Sequence, residues 1–288
     1  MSNLRAIKKR IQSVKNTRQI TRAMKMVSGA KFRRAEERVR HFEPYADRFN
    51  QATAAILNRE EALTHPLLRE GISQAPPLVV LVAADRGLCG AFNANVFKAA
   101  TYHLEDQGID PADVVFYAVG RKAREFVQRR KWTLFGDLTP VPEPPTPDTI
   151  CEISAKLSEA FLAGVVGSVT IVYNHFLNAL TQRVQTRQLL PLELPAPEQS
   201  ASLTPPLAEP QAPDLLMELL PRILDLNIER IMLDSLAGEH GARMTAMDSA
   251  SSNAEDMIDT LTLTYNRARQ ASITSELLDI INGKNATE

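Results

Sequence analysis

Cysteine is nearly absent: Cys89 and Cys151 are the only two in 288 residues, too few and too far apart for a disulfide framework or a CxxC metal or redox site. That scarcity fits a reducing, intracellular compartment. Long apolar runs are missing too. The longest aliphatic stretch, Leu78 to Ala84, is strand-sized, whereas crossing a bilayer takes about 20 apolar residues. The N-terminus has no signal-peptide core. It is basic, amphipathic and free of acids before Glu36, as a mitochondrial transit peptide is, but its periodicity continues well beyond a presequence and favours mature structure. Neither GxGxxG nor a P-loop pattern occurs, and His240, which follows Glu239, has no HExxH pattern or second ligand beside it. No Ser, His and Asp constellation is defensible, so the residues give no reason to expect intrinsic catalysis, a cofactor or a bound small-molecule substrate.

Net charge is only −1, which excludes a molecule that is polyanion-seeking as a whole. The average conceals a segregation along the chain. Residues 1 to 40 hold 13 Lys or Arg against two Glu, a net of +11, while residues 214 to 282 hold 12 Asp or Glu against five Arg, a net of −7. The two ends are electrostatically complementary. The basic end also invites a nucleic-acid reading, as a stand-alone adaptor associated with DNA, but residues 1–42 offer only Phe32 and Phe42 as aromatics, poor provision for base stacking.

From Leu4 to about Leu57 the chain reads as one long helix. Apolar residues recur at Leu4, Ile7, Ile11, Val14, Ile20, Met24 and Val27, and again at Ala35, Val39, Phe42, Ala46, Phe49 and Ile56 with one polar place at Thr53. Pro44 should kink it locally. At about 1.5 Å per residue such a helix reaches roughly 80 Å, longer than a compact domain needs. A second long helix is expected from Asp214 to about Asn282, with Pro221 in its first turn or ending a short preliminary one. Its heptad series runs through Met247, Ala250, Ala254, Met257, Leu261, Thr264, Ala268, Ala271, Ser275 and Leu278, and its alanines allow close approach of a second helix. Ala237, Gly238, Gly241, Ala242 and Ala246 extend that thin face. The simplest arrangement is an antiparallel two-helix coiled coil whose seam includes Ile7, Ile11 and Val14 on one side and Met247 through Ala271 on the other.

Between the helices the pattern alternates. Strands are expected at 77–84, 113–119, 167–174 and 182–190, and helices at 93–104, 121–130 and 148–164, a small Rossmann-like α/β domain. Residues 191–213 hold seven of the 18 prolines and read as a linker or exposed loop. The expected organisation is therefore 1–60 N-terminal helix, 76–190 α/β domain, 191–213 Pro-rich segment and 214–288 C-terminal helix. The loop DRGLCG at 85–90 follows a strand and precedes a helix, where glycine could expose amides to a phosphate. A structural turn is the favoured reading, with Cys89 packed rather than nucleophilic.

Three passages carry a more specific signal: IKKRIQSVKNTRQITRAMKMVSGAKFRRA at 7–35, ADRGLCGAFNANV at 84–96, and EHGARMTAMDSASSNAEDMIDTLTLTYNRARQASITSELLDIING at 239–283. Together they resemble, in family order, the gamma subunit of F-type ATP synthases. The match is weak between about 97 and 238. The resemblance implies a coiled-coil shaft inside a ring of alternating alpha and beta subunits, one copy per complex, with the α/β domain beside the epsilon subunit and the membrane ring of c subunits. It implies a non-catalytic, torque-transmitting part and leaves the nucleic-acid reading little room. It also implies that Arg269 and Gln270 meet a catch loop of beta, and that Met24 and Arg243 face the moving lever of beta. The dithiol insert of chloroplast relatives is missing. With a start at Met1 directly before the first motif, this implies a bacterial protein, peripheral on the cytoplasmic face of an energy-coupling membrane.

Overall fold

A computed structural model describes residues 2–56, 65–69, 71, 74–178, 181–193 and 212–285. Most of the expected Pro-rich segment, 194–211, lies outside the described residues. In chain order the elements are α1 (Ser2–Ile56), β1 (Pro77–Val82), α2 (Phe92–Asp106), β2 (Val115–Val119), α3 (Arg121–Arg130), β3 (Thr133–Leu138), α4 (Pro147–Leu162), β4 (Ser168–Phe176), β5 (Gln182–Leu190) and α5 (Ala212–Asn285). The chain divides into two compact units, one combining Met1–Ser28 with Met244–Glu288 and the other comprising Gly29–Arg243.

The Gly29–Arg243 unit is built on a five-stranded sheet in the order β3-β2-β1-β4-β5, with β1 to β4 parallel and β5 antiparallel to β4. Parallel strands covered on both faces need apolar residues throughout, and β1, PLVVLV, supplies them. Its pleat sorts them into two cores. Leu78, Val80 and Val82 pack with Ile150, Ile153 and Leu157 of α4 and with Leu220, Leu224 and Ile228 of α5. Val79 and Leu81 face Val96, Ala100 and Leu104 of α2 and Ala123 and Val127 of α3.

Strand β3 was not expected from the sequence. It is an edge strand interrupted by Gly136, where a Cβ would stand 3.0 Å from the Tyr117 ring; a glycine inside a short run weakens the strand signal and here makes room for a neighbour. Pro44 lies inside α1 as expected, whereas Pro221 lies inside α5 well past its first turn rather than in it. Both prolines are exposed, so the carbonyls that lose an N–H partner reach water. Elsewhere in this unit α1 meets α5 through a close-packed cluster of Ala35, Val39, Leu233 and Ala237, flanked by Arg230 near Glu43 (3.4 Å) and Asp47 (3.5 Å).

In the other unit, α1 and α5 run antiparallel. Arg18 bonds Glu255 at 2.8 Å, Thr21 bonds Ser251 at 2.7 Å and Lys25 bonds Asp248 at 2.5 Å. Leu4, Ile7, Ile11 and Val14 are half-buried. Beyond Val14 the seam departs from the apolar series. It passes through Arg18, Thr21, Lys25 and Ser28, leaving Ile20 60% and Val27 58% exposed. A heptad continued from Val14 lands on those polar positions, and Thr21 is tolerated because its hydroxyl is hydrogen-bonded.

On α5 the buried series is Met247, Ser251, Ala254, Ile258, Leu261, Tyr265, Ala268 and Ser272, all buried or half-buried. Met247, Ala254, Leu261 and Ala268 are thus common to the expected and observed stripes. The alternate positions are displaced by one residue. Met257 is 43% exposed beside Ile258 at 8%, and Ala271 is exposed beside half-buried Ser272. Ala250 is half-buried. Apolarity could not choose between Met257 and Ile258, and it favoured Ala250 over Ser251, whose hydroxyl is held across the seam.

Candidate functional site

The loop that leaves the carboxyl end of β1 is held by its own side chains. Asp85 accepts the backbone N–H of Arg121, the first residue of α3, through Oδ1 and that of Val141 through Oδ2, each at 2.8 Å. Its carboxylate is thereby a cap for α3, where an anion is favoured by the helix dipole. Asn93 Oδ1 accepts the Ala84 N–H at 2.9 Å, and Asn93 Nδ2 reaches Cys89 Sγ at 3.3 Å. Gly120, at φ 93°, passes so close to the loop that a Cβ would stand 2.0 Å from the Ala83 carbonyl oxygen. These roles of Asp85 and Asn93 were not expected from the sequence. An Asp immediately after a strand and an Asn opening a helix were the available signals.

In an open α/β sheet, ligands enter where the strand order reverses, outside the carboxyl ends. Here that place lies between β1 and β4, and the chain fills it. Phe92 accepts the Asn174 amide on its carbonyl at 3.1 Å. Its ring lies where a Cβ on Gly238 of α5 would come within 3.3 Å. Ala84, Cys89 and Phe92 cluster with Ala242. Burial pushes the Cys89 thiol up, against the pull of Arg243, the reverse of what a nucleophile needs. Among the described residues no group of His, Cys, Asp and Glu is arranged to hold a metal ion.

Arg243 was expected to face a partner. It is 9% exposed and engaged within its own unit. Its guanidinium donates to Glu239 at 2.6 Å and to the Gly87 carbonyl at 3.4 and 3.5 Å. Another guanidinium nitrogen stands 3.4 Å from His240 Nδ1, and His240 Nε2 stands 2.9 Å from Glu143. A guanidinium only donates, so Nδ1 must accept and Nε2–H must donate to Glu143, which assigns a neutral imidazole. Burial pushes His240 down accordingly, opposed by Glu239 and Glu143. Burial alone would raise Glu143, but the Lys31 ammonium at 3.0 Å and His240 together outweigh it and hold the carboxyl below its ordinary range. Loop, Pro-rich turn and α5 are joined through this one row of polar contacts.

The other expected contact residues belong to the paired-helix unit. Met24 is half-buried, and Arg269 and Gln270 are exposed. The outside of that unit carries large apolar side chains among its charges. Ile20, Met26 and Val27 of α1 and Leu263, Ile273, Leu277 and Leu278 of α5 are all about half exposed or more. Sequence periodicity had assigned Ile20 and Val27 inward.

A family model described as ATP synthase matches residues 3–287. ATP synthase gamma chains of Trichlorobacter lovleyi and Geobacter metallireducens are 42% and 43% identical, with 98% of this chain and 98% of each relative covered. That of Pelotomaculum thermopropionicum is 42% identical over the full length of both. In fold, the chain is similar to one in the OSCP/F1/c-ring of Euglena gracilis mitochondrial ATP synthase, with a TM-score of 0.69, 19% identity and coverage of 99% of this chain and 95% of that one. A chain of the Tetrahymena thermophila mitochondrial central stalk and c-ring gives a TM-score of 0.59 at 23% identity, covering 81% and 99%. With nearly every residue matched to one family and more than two-fifths identical to its gamma chains, this chain belongs to the ATP synthase gamma chain family.

Proposed function

We propose that the chain is the central stalk of an F-type ATP synthase and transmits torque between the membrane ring of c subunits and the catalytic beta subunits. As a gamma chain it is a non-catalytic subunit. The observation that carries the mechanical reading is the outward apolar surface of the paired helices: side chains as large as Ile20, Val27, Leu263 and Leu277 lie on the outside, as on a surface that another protein covers. Partner contacts at Met24, Arg269 and Gln270 belong to the same reading. Arg243 contributes to such a contact only by exchanging Glu239 and Gly87 for a partner group, so its first role is to fix α5 against the loop.

The physical requirement is asymmetry. A partner shifts a conformational equilibrium only by binding its states unequally. One uneven stalk inside three identical beta subunits imposes different biases at each angle, and rotation cycles them. The alpha subunits complete the ring, and epsilon with the c ring engages the other end. Among the described residues no helix is long and apolar enough to cross a membrane, which suits a peripheral subunit on the cytoplasmic face of a bacterial energy-coupling membrane.

The decisive experiment is reconstitution. The purified chain alone should hydrolyse no ATP, and adding it to alpha and beta subunits should give a rotating ATPase. Hydrolysis that persists in the rigorously purified chain, or an assembled head that turns over without ever rotating this chain, defeats the reading.

A further inference from the structure

Helix α3, RKAREFVQRR, concentrates cations on the sheet-bearing unit, and the αL residue Lys131 closes it. Two of them are neutralised internally: Lys122 by Glu125 at 2.7 Å and Arg124 by Asp137 at 3.4 Å. The last two arginines are held differently. Arg129 donates through Nε to the Glu125 carbonyl at 3.2 Å, which uses its inner nitrogen and leaves its terminal pair without an acceptor among the described residues. The Arg130 guanidinium carbon lies 5.6 Å from the centre of the Phe126 ring and 5.8 Å from that of Trp132. Those rings are themselves fixed. Phe126 stacks on Phe97 at 4.3 Å with planes 3° apart, and Trp132 stacks on Phe116 at 4.7 Å.

Cations in a last turn complement the helix dipole, and that alone accounts for their presence. It does not account for one guanidinium lying over two packed aromatic rings beside another anchored by its Nε. Both side chains have already given up much of the freedom that binding would cost them, while their hydrogen-bonding forks remain open. Planar forks of this kind match carboxylates bidentately, and arginines on an aromatic platform are typical anchors of protein interfaces. We propose that Arg129 and Arg130 form a docking point for an acidic segment of another polypeptide, whose carboxylates complete the two forks. A lipid surface fits less well: the aromatic rings are stacked on one another rather than free to insert, and the charge sits on constrained arginines rather than mobile lysines.

The inference rests on the stalk reading only in where the partner is sought, the assembled ATP synthase. Benzoylphenylalanine replaces the exposed Gln128 in the full chain, the complex is assembled and illuminated, and the cross-linked peptide is mapped. The expected product joins this chain to a polypeptide segment carrying at least two carboxylates. Its yield should fall about tenfold with Arg129→Glu and Arg130→Glu together, and should fall less with Arg129→Lys and Arg130→Lys, which keep the charge and lose the fork. Lysines in place of the mapped carboxylates should restore the yield with the Glu pair. Cross-linking to lipid, to a segment without carboxylates or to nothing overturns the proposal, as does a yield indifferent to the Glu pair. If the Glu pair prevents assembly, the Lys pair decides the matter by the same yield. Failure of the unsubstituted chain to assemble counts instead against the stalk reading.

Discussion

The two units are held together by different means. The sheet-bearing unit buries apolar residues on both faces of a parallel sheet, with Leu78, Leu81, Phe116 and Leu157 wholly enclosed. In the paired-helix unit the buried residues include Thr21 and Ser28 beside Met247, Ala254 and Ile258, while Ile20, Leu263 and Leu277 face outward. A domain that must fold alone puts its large apolar groups inside. A unit that keeps a thin, partly polar seam and turns Ile20, Leu263 and Leu277 out depends more on what surrounds it. The comparison implies graded local stability: in the isolated chain, amides of β1 should exchange with solvent far more slowly than those of 10–25 in α1. Equal protection would remove the distinction.

The largest effect is expected where the sheet-bearing unit has no slack. Gly120→Ala must place a Cβ 2.0 Å from the Ala83 carbonyl oxygen, a backbone atom, at a φ of 93°. Strain and steric conflict together should cost about 3 kcal/mol or more. Chemical denaturation followed at Trp132 measures it. A midpoint unchanged by the substitution would mean that this close approach is not a constraint and that the unit is as yielding as the helices.

Much of this unit was legible in advance because its signals are redundant. The apolar run PLVVLV, the basic helix 121–130 and the alternating order of elements all point the same way. What stayed hidden depends on distant partners. β3 is an interrupted edge strand whose glycine makes sense only beside Tyr117, and Asp85 is explained only by Arg121 and Val141. In the paired helices the existence and direction of the pair were readable from stripe and charge, but its rotational setting was not. Ile20 and Val27 looked like seam residues because period alone cannot say which side of a helix a polar partner will claim. Arg243 resembled a contact residue by motif, and its burial against Gly87, Glu239 and His240 has no local signature.

The next effect sharpens that rotational setting. Ile258 is 8% exposed and Met257 43%, although either could belong to a heptad. Ile258→Ala should destabilise the helix pair by about 2 kcal/mol, whereas Met257→Ala should cost no more than about 0.5 kcal/mol. Amide exchange along 247–268 reads both. A reversed order would put the seam one residue away and with it Ser251.

The smallest effect concerns the hydrogen bond across the seam. Thr21 and Ser251 meet at 2.7 Å, and each hydroxyl also has a carbonyl of its own helix in reach, Arg18 at 3.1 Å and Met247 at 2.8 Å. Because each hydroxyl has one proton and two lone pairs, one of the two donates across the seam and the other donates to its own helix. Thr21→Val keeps the shape, and Ser251 can then turn to Met247, so no buried donor is stranded. The net loss should therefore be about 1 kcal/mol or less. A double-mutant cycle with Ser251→Ala isolates it: the coupling between the two sites should be positive and of that size. The flanking pairs, Arg18 with Glu255 and Lys25 with Asp248, are largely exposed and should contribute less and fade with salt. Zero coupling between Thr21 and Ser251 would leave the seam without a specific polar contact there, and register would then rest on its few apolar residues and the flanking ion pairs.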